Sequence, residues 1–204
     1  MTTGGIINRM SAARRASRAA LNDDGGVAAA EFALILPVAL LFLSLFVYGG
    51  QAFFVQRKVT LGALTVADIF AQANNNSSAT ITAAELNQIL SYPNLILYPY
   101  DGSGVQVELS QLLVATKNGV TTGTVVGSWA NANGTARPIG QQMSVDPSIA
   151  AAFNCSGNCP NSYVVLAEVQ YPFQPTGIYY PIGAVTLHDS VMMIPRTAAE
   201  ITVQ

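Results

Sequence analysis

The sequence predicts an α+β fold, in which a long apolar N-terminal helix is followed by a small head with antiparallel strands. The stretch from Phe32 to Gln56 contains no formally charged residue, and about 20 apolar residues suffice for a helix to cross a bilayer. Downstream, apolar and polar residues alternate with the period of half-buried strands. Only 10% of the 204 residues are charged, against about a quarter in soluble domains. We therefore expect part of the chain to lie in lipid and the rest to form one modest domain.

Charges are unevenly distributed along the chain. Four arginines and no acid precede residue 22, whereas only Arg57 and Lys58 follow the apolar stretch closely. The positive-inside rule then predicts a cytoplasmic N-terminus and an extracytoplasmic head. From residue 60 onward there are three bases and eight acids, which disfavours nucleic acid as a partner because a phosphate backbone requires a basic surface.

The helix is predicted to continue beyond the membrane. Six small or apolar residues follow one another at steps of 4, 3, 4, 3 and 4, which is the spacing of one helical face: Val55, Val59, Gly62, Val66, Ile69 and Ala73. A helix over residues 27–73 would be roughly 70 Å long, about twice the hydrocarbon thickness. Asn and Ser residues at 74–78 are expected to end it. We divide the chain into a leader (1–26), a membrane and stalk helix (27–73) and a head (74–204).

The head begins with a predicted helix. Thr82 and Glu85 fit a capping box, with the helix expected to run to about Leu90 and to stop at Tyr92-Pro93. Alternation predicts strands over 105–109 and 165–171. Further strand candidates are 95–98, 122–130 and 184–194, and residues 147–153 are expected to form a helical turn.

One charged residue stands at the start of the apolar stretch. If the chain were cut between Gly26 and Val27, the new terminal amine would lie one helical turn from Glu31. The carboxylate could then pair with its own amine or with that of a neighbouring subunit, and a helix N-terminus favours the anion. The alternative is an ordinary signal anchor with an incidental glutamate at the lipid boundary.

These residues resemble a known signal. Gly26, then four residues, then Glu31-Phe32 and a long apolar helix, resemble the class 3 signal of type IV prepilins. More specifically, AAAEFALILPVALLFL with the following FFVQR is similar to TadE-like proteins of the tight-adherence (Tad/Flp) pilus system. Residues 163–195, with a strand ending in Tyr171-Pro172-Phe173 and a further strand after it, also resemble that family. Residues 74–160 do not.

The resemblance implies a minor pilin, or pseudopilin, cut after Gly26 by prepilin peptidase. Glu31 would assist processing or set the register of one subunit against the next. Phe32 is the residue that comes directly after Glu31 in the motif. Major Tad pilins are short and usually carry Tyr after the glutamate, so Phe32 and the large head fit the minor class. The implied partners are the peptidase, other pilin and pseudopilin subunits, the inner-membrane assembly platform and the lipid bilayer.

Chemistry-bearing residues are sparse elsewhere. Cys155 and Cys159 are separated by three residues in a part expected to be exported, which predicts a local disulfide. A metal site is not expected, since His188 is the only histidine. His188-Asp189-Ser190 cannot form a catalytic triad, because consecutive residues of an extended segment face opposite sides. We expect neither a cofactor nor an enzymatic activity.

Two alternatives remain at the level of sequence. The chain could be an uncleaved, membrane-anchored periplasmic scaffold. It could also be a secreted binding protein or enzyme released by signal peptidase near Ala52, although the apolar stretch is longer than the 7 to 15 residues of a signal-peptide core.

Overall fold

The structure, a computed structural model, describes residues 24–73, 79–117, 120–152, 162–175, 183–196 and 200–204. Its elements confirm the predicted α+β class, with a long apolar helix preceding an antiparallel sheet. The helices are α1 (Asp24–Ala71), α2 (Ala83–Leu97) and α3 (Pro147–Ala152). The strands are β1 (Thr80–Ile81), β2 (Gln106–Lys117), β3 (Val120–Ala130), β4 (Gln142–Ser144), β5 (Tyr163–Phe173), β6 (Val185–Met193) and β7 (Thr202–Val203).

Helix α1 has 48 residues. The chain divides into two compact units at its middle, one ending at Gly50 and one beginning at Gln51. In the first unit none of the residues from Gly26 to Gly50 is buried. In the second unit the predicted apolar stripe is confirmed: five of its six residues are buried and Ile69 is half-buried.

Five strands form the main sheet, in the order β4-β3-β2-β5-β6, with every neighbouring pair antiparallel. One face carries the principal core, in which Val107, Leu109 and Val169 share a cluster with buried residues of α1 and α2. The opposite face carries a smaller cluster that includes Leu112, Val125 and Leu166. The α1 segment after Gly50 is therefore a core helix of the head.

Helix α2 corrects two predictions. The capping box of Thr82 and Glu85 is present, but the helix continues through Pro93 to Leu97, so the predicted stop at Tyr92-Pro93 and the predicted strand over 95–98 are wrong. Proline removes one backbone hydrogen bond, and tertiary packing outweighs that loss. Pro93 is buried with four leucine and isoleucine residues on one helical face, and a methyl group added to Gly62 would lie 3.4 Å from the Pro93 Cβ atom.

The strand predictions at 105–109, 122–130, 165–171 and 184–194 correspond to β2, β3, β5 and β6. Helix α3 corresponds to the predicted turn at 147–153. The structure adds a parallel pairing of β1 with β7, which the sequence analysis did not predict because two-residue strands carry no periodic signal.

Candidate processing and assembly segment

The predicted processing residues lie in the first turns of α1. Gly26 and Val27 are helical, and Glu31 follows Val27 by four residues, the spacing at which two side chains meet on one helical face. The side chains of Val27 and Phe32 are 60% and 64% exposed. No atom of the described residues, apart from the neighbouring helix backbone, lies within 4 Å of a methyl group placed on Gly26. Among the residues that the structure describes, none covers this segment.

Large apolar side chains continue around the helix after Phe32. Leu34, Phe42, Phe46 and Phe54 are all exposed, and the segment Gly26–Ala71 is long and apolar enough to cross a membrane. Contiguous apolar exposure of this extent is rare on a soluble monomer and marks contact with lipid or protein. The helix therefore has the surface of a membrane anchor.

The surroundings of α1 change at Val55. Val55, Val59, Val66 and Phe70 are fully buried in the head core, and the Phe70 ring lies 5.5 Å from the Trp129 ring between centroids. Fully burying a side chain of this size contributes about 1.5–3 kcal/mol. This face of α1 holds the head through apolar packing.

Lys58 fixes the helix to the end of α2. Its ammonium group donates a hydrogen bond of 3.0 Å to the Ile96 carbonyl and another to the Tyr98 carbonyl, and it lies 5.9 Å from the centre of the Tyr100 ring. The last carbonyls of a helix lack partners within it and carry a partial negative charge. A cation from α1 therefore satisfies the C-terminus of α2.

Two further polar residues of α1 reach the edge strand β6. The Gln56 amide donates to the His188 carbonyl at 3.0 Å, and the Thr60 hydroxyl donates to the Asp189 carboxylate. The same carboxylate accepts from the Ser190 amide at 2.9 Å. Edge strands expose unpaired backbone groups, and here the helix and Asp189 cover part of that edge.

A charged cluster occupies the sheet face away from α1. Glu108 and Glu168 are directly opposite in the β2–β5 register, and Arg137 lies between them: its Nε atom is 2.7 Å from Glu108 Oε1 and 3.0 Å from Glu168 Oε2. Burial raises the pKa of Glu108, and the charge of Arg137 opposes that rise. Burial alone would lower the pKa of Arg137, but the hydrogen bond and charge of Glu168 outweigh it and raise that pKa.

His188 borders this cluster, with its Nε2 atom 3.7 Å from Glu168 Oε1. Asp189 instead bonds Thr60 on the helix side, so the two residues face opposite sides of the sheet, as predicted for consecutive strand residues. Asp101 begins the turn Gly102–Gly104, and its carboxylate accepts from the Ser103 amide at 2.9 Å. That hydrogen bond, with a second from the Ser103 hydroxyl, lowers the pKa of Asp101.

These features define a class of protein: a helical membrane anchor that continues into the core of an α+β head. Residues 26–68 match the model of the family described as TadE-like protein. The match confirms the resemblance over this part of the chain, and it does not extend to residues 163–195. Comparisons with curated proteins and with solved structures gave no match.

The match covers about a fifth of the chain, the N-terminal part that contains the apolar helix. The matched segment contains Gly26, Val27, Glu31 and Phe32, together with Gln56, Lys58 and Thr60. Sequence analysis predicted no contact of the last three with the head. Their position beside the buried stripe was the feature of the sequence that could have indicated contacts with the head. Cys155 and Cys159 lie outside the described residues.

Proposed function

We propose that this chain is a minor pilin, or pseudopilin, of a Tad-type pilus. Prepilin peptidase cuts it between Gly26 and Val27 in the inner membrane, with the N-terminus in the cytoplasm and the head in the periplasm. The observation that carries the proposal is the exposed apolar surface of α1 within a segment that matches TadE-like proteins. Lipid covers this surface in the membrane, and neighbouring helices cover it during pilus assembly.

The proposed mechanism of assembly is the packing of α1 against neighbouring helices. Val27 becomes the first residue after cleavage, so the new ammonium group and the Glu31 carboxylate are four positions apart on one helical face. A charged side chain deep in a bilayer costs about 2.5–3.5 kcal/mol unless it is neutralised. Pairing of Glu31 with the terminal amine of an adjacent subunit neutralises both groups and fixes the axial position of one helix against the next.

The head packs on the part of α1 that follows Gly50. Fully buried α1 residues such as Val59 and Phe70, and the bonds of Lys58, Gln56 and Thr60 to the head, join the two. The inner-membrane platform and other pilin subunits would therefore position the head by acting on α1.

The test is the N-terminus of the mature protein purified from membranes of its native host, read by intact mass and terminal peptide mapping. A chain beginning at Val27 supports prepilin processing. A chain that retains residues 1–26 would instead indicate a static scaffold, and one beginning at Phe53 would indicate release by signal peptidase; either result contradicts the proposal.

Glu31→Ala tests the role of the carboxylate separately. We expect the variant to reach the membrane but to restore pilus assembly poorly in a deletion strain, with Ala30→Gly as a matched control that keeps the charge. If Glu31→Ala restores assembly as well as the unchanged chain, Glu31 does not set the register.

A further inference from the structure

The C-terminal end of α2 lies beside the first turns of the α1 segment that belongs to the head. Lys58 donates a hydrogen bond to the Tyr98 carbonyl, and Pro93, earlier in α2, packs against Gly62, later in α1. Helix α2 therefore runs antiparallel to this part of α1. Side chains of a helix lean toward its N-terminus, so the Lys58 ammonium reaches back toward Phe54. The end of α2 is thus level with the turn between Phe54 and Lys58.

Exposed apolar and aromatic side chains gather at this end of the head. Tyr98 is 77% exposed and Leu95, one turn earlier in α2, is 71% exposed. Phe53 and Phe54 are exposed on α1. Arg57 forms no ion pair with any residue that the structure describes, and its guanidinium lies 5.6 Å from the centre of the Phe53 ring. We call these five residues the interfacial group.

Counting along α1 gives the depth of this group relative to a bilayer. Phe53 follows Phe32 by 21 positions, roughly 32 Å along an upright helix, which is about the thickness of the hydrocarbon core. Arg57 is roughly 38 Å from Phe32, inside the 40–45 Å or so that includes the headgroups. The interfacial group is therefore expected between the hydrocarbon and bulk water.

The residue types suit that depth. Aromatic side chains with a polar tip, such as Tyr98, are enriched at the level of the headgroups, and anionic headgroups attract an unpaired cation such as Arg57. The acid that follows Tyr98 most closely is Asp101. Its carboxylate already accepts from the Ser103 amide and hydroxyl, both at 2.9 Å.

We propose that the interfacial group docks the head onto the polar interface of the lipid bilayer. Leu95 and Tyr98 insert among the headgroups, and Arg57 lies at the phosphates of anionic lipids. The inference rests on the proposed function, because the membrane anchor in α1 sets the depth of the group. Docked in this way, the head has one orientation to the membrane before assembly, and extraction of the subunit into the pilus breaks these contacts.

The experiment is quenching of tryptophan fluorescence by brominated lipids. The full chain is reconstituted in vesicles of phosphatidylcholine and phosphatidylglycerol, with the phosphatidylcholine brominated near the carboxyl end of its acyl chains. Ser91→Trp is the matched control for Tyr98→Trp, because Ser91 is exposed on the same face of α2, roughly 10 Å farther from its end. Relative to the unchanged chain, which carries Trp129 alone, the added quenching should be about twofold larger at 98 than at 91.

Equal quenching at the two positions, or none at 98, would overturn the docking. Protection of position 98 from iodide in the water without quenching by brominated lipid would indicate a second copy as the partner, which also overturns it. Circular dichroism verifies that both variants are folded.

Removing other members of the group distinguishes docking from mere nearness to the anchor. Added to Tyr98→Trp, Leu95→Ser should reduce the quenching in all vesicles, and Arg57→Gln should reduce it only in vesicles that contain phosphatidylglycerol. Arg196→Gln is the control, because the Arg196 amide donates to the Ala71 carbonyl at the opposite end of this α1 segment. If neither Leu95→Ser nor Arg57→Gln changes the quenching, the anchor alone brings position 98 to the lipid and the docking is wrong.

Phe42→Trp separates failure of this inference from failure of the proposed function. Phe42 is exposed and follows Phe32 by ten positions, roughly 15 Å, which places it near the middle of the bilayer. Lipids brominated near the methyl end of their chains should quench it. Quenching at 42 without quenching at 98 overturns the docking alone, whereas no quenching at 42 means that α1 does not span and contradicts the proposed function.

Discussion

The two halves of α1 differ in the distribution of their apolar residues and in their surroundings. From Gly26 to Gly50 no residue is buried, whereas from Val55 to Ala71 seven residues form part of the head core. In the first half apolar residues occur on every side of the helix, so no single protein face could cover them. In the second half they narrow to one stripe flanked by polar residues.

The comparison shows that the distribution of apolar residues around the helix, together with their number, separates an anchor from a core helix. A helix that is apolar all round is suited to lipid or to the interior of an assembly. A helix with one apolar stripe can be completed by its own domain, and its polar flanks can then bond to that domain, as Lys58 and Gln56 do. Substitutions in the second half should therefore affect folding of the head.

The largest expected effect is that of Phe70→Ala. Phe70 is fully buried against Trp129, and removing a buried phenylalanine side chain costs about 3–5 kcal/mol. Urea unfolding of the full chain in detergent, followed by circular dichroism and by the fluorescence of the single tryptophan, measures the loss. Phe54→Ala is the matched control, because Phe54 is exposed, and it should change the unfolding free energy by less than about 0.5 kcal/mol. Equal losses from the two variants would contradict the assignment of the buried face.

The sequence predicted the parts of this comparison that depend on local pattern. The stripe from Val55 to Ala73 and the capping box of Thr82 follow from helical spacing, and both are present. The predicted end of α2 at Pro93 was wrong, because the burial of Pro93 against Gly62 depends on the tertiary packing of two helices. The Glu108–Glu168 juxtaposition depends on strand register, which alternation within single strands does not determine. For the predicted processing motif, the residues come from the sequence alone, and the structure adds the exposure of Val27 and Phe32.

A smaller, pH-dependent effect is expected at the charged cluster, away from α1. Arg137→Gln leaves Glu108 and Glu168 directly opposite each other without a cation between them, so the pKa of Glu108 should rise further. An acid whose pKa is raised in the folded state binds more protons folded than unfolded, and stability falls as pH rises through that range. The variant should lose about 1–3 kcal/mol at pH 7 and much less at acidic pH near 4, because the raised pKa of Glu108 favours its neutral form there.

Urea unfolding of both chains at pH 4 and pH 7 measures this difference. Arg196→Gln is the control, because its ion pair with Asp68 is exposed and its loss should cost about 0–1 kcal/mol. A cost for Arg137→Gln that is the same at both pH values would show that the arginine acts through packing alone.

The smallest effect concerns Lys58, the residue by which the TadE-like segment satisfies the end of α2. Lys58→Met keeps the apolar stem but removes the donors to the Ile96 and Tyr98 carbonyls. We expect a loss of about 1 kcal/mol, with faster amide hydrogen exchange confined to the last turn of α2. Arg57→Met is the matched control, since the neighbouring Arg57 forms no ion pair with the described residues and should leave both stability and exchange nearly unchanged. If the two variants behave alike, apolar packing on the buried stripe is sufficient to hold α2 against α1.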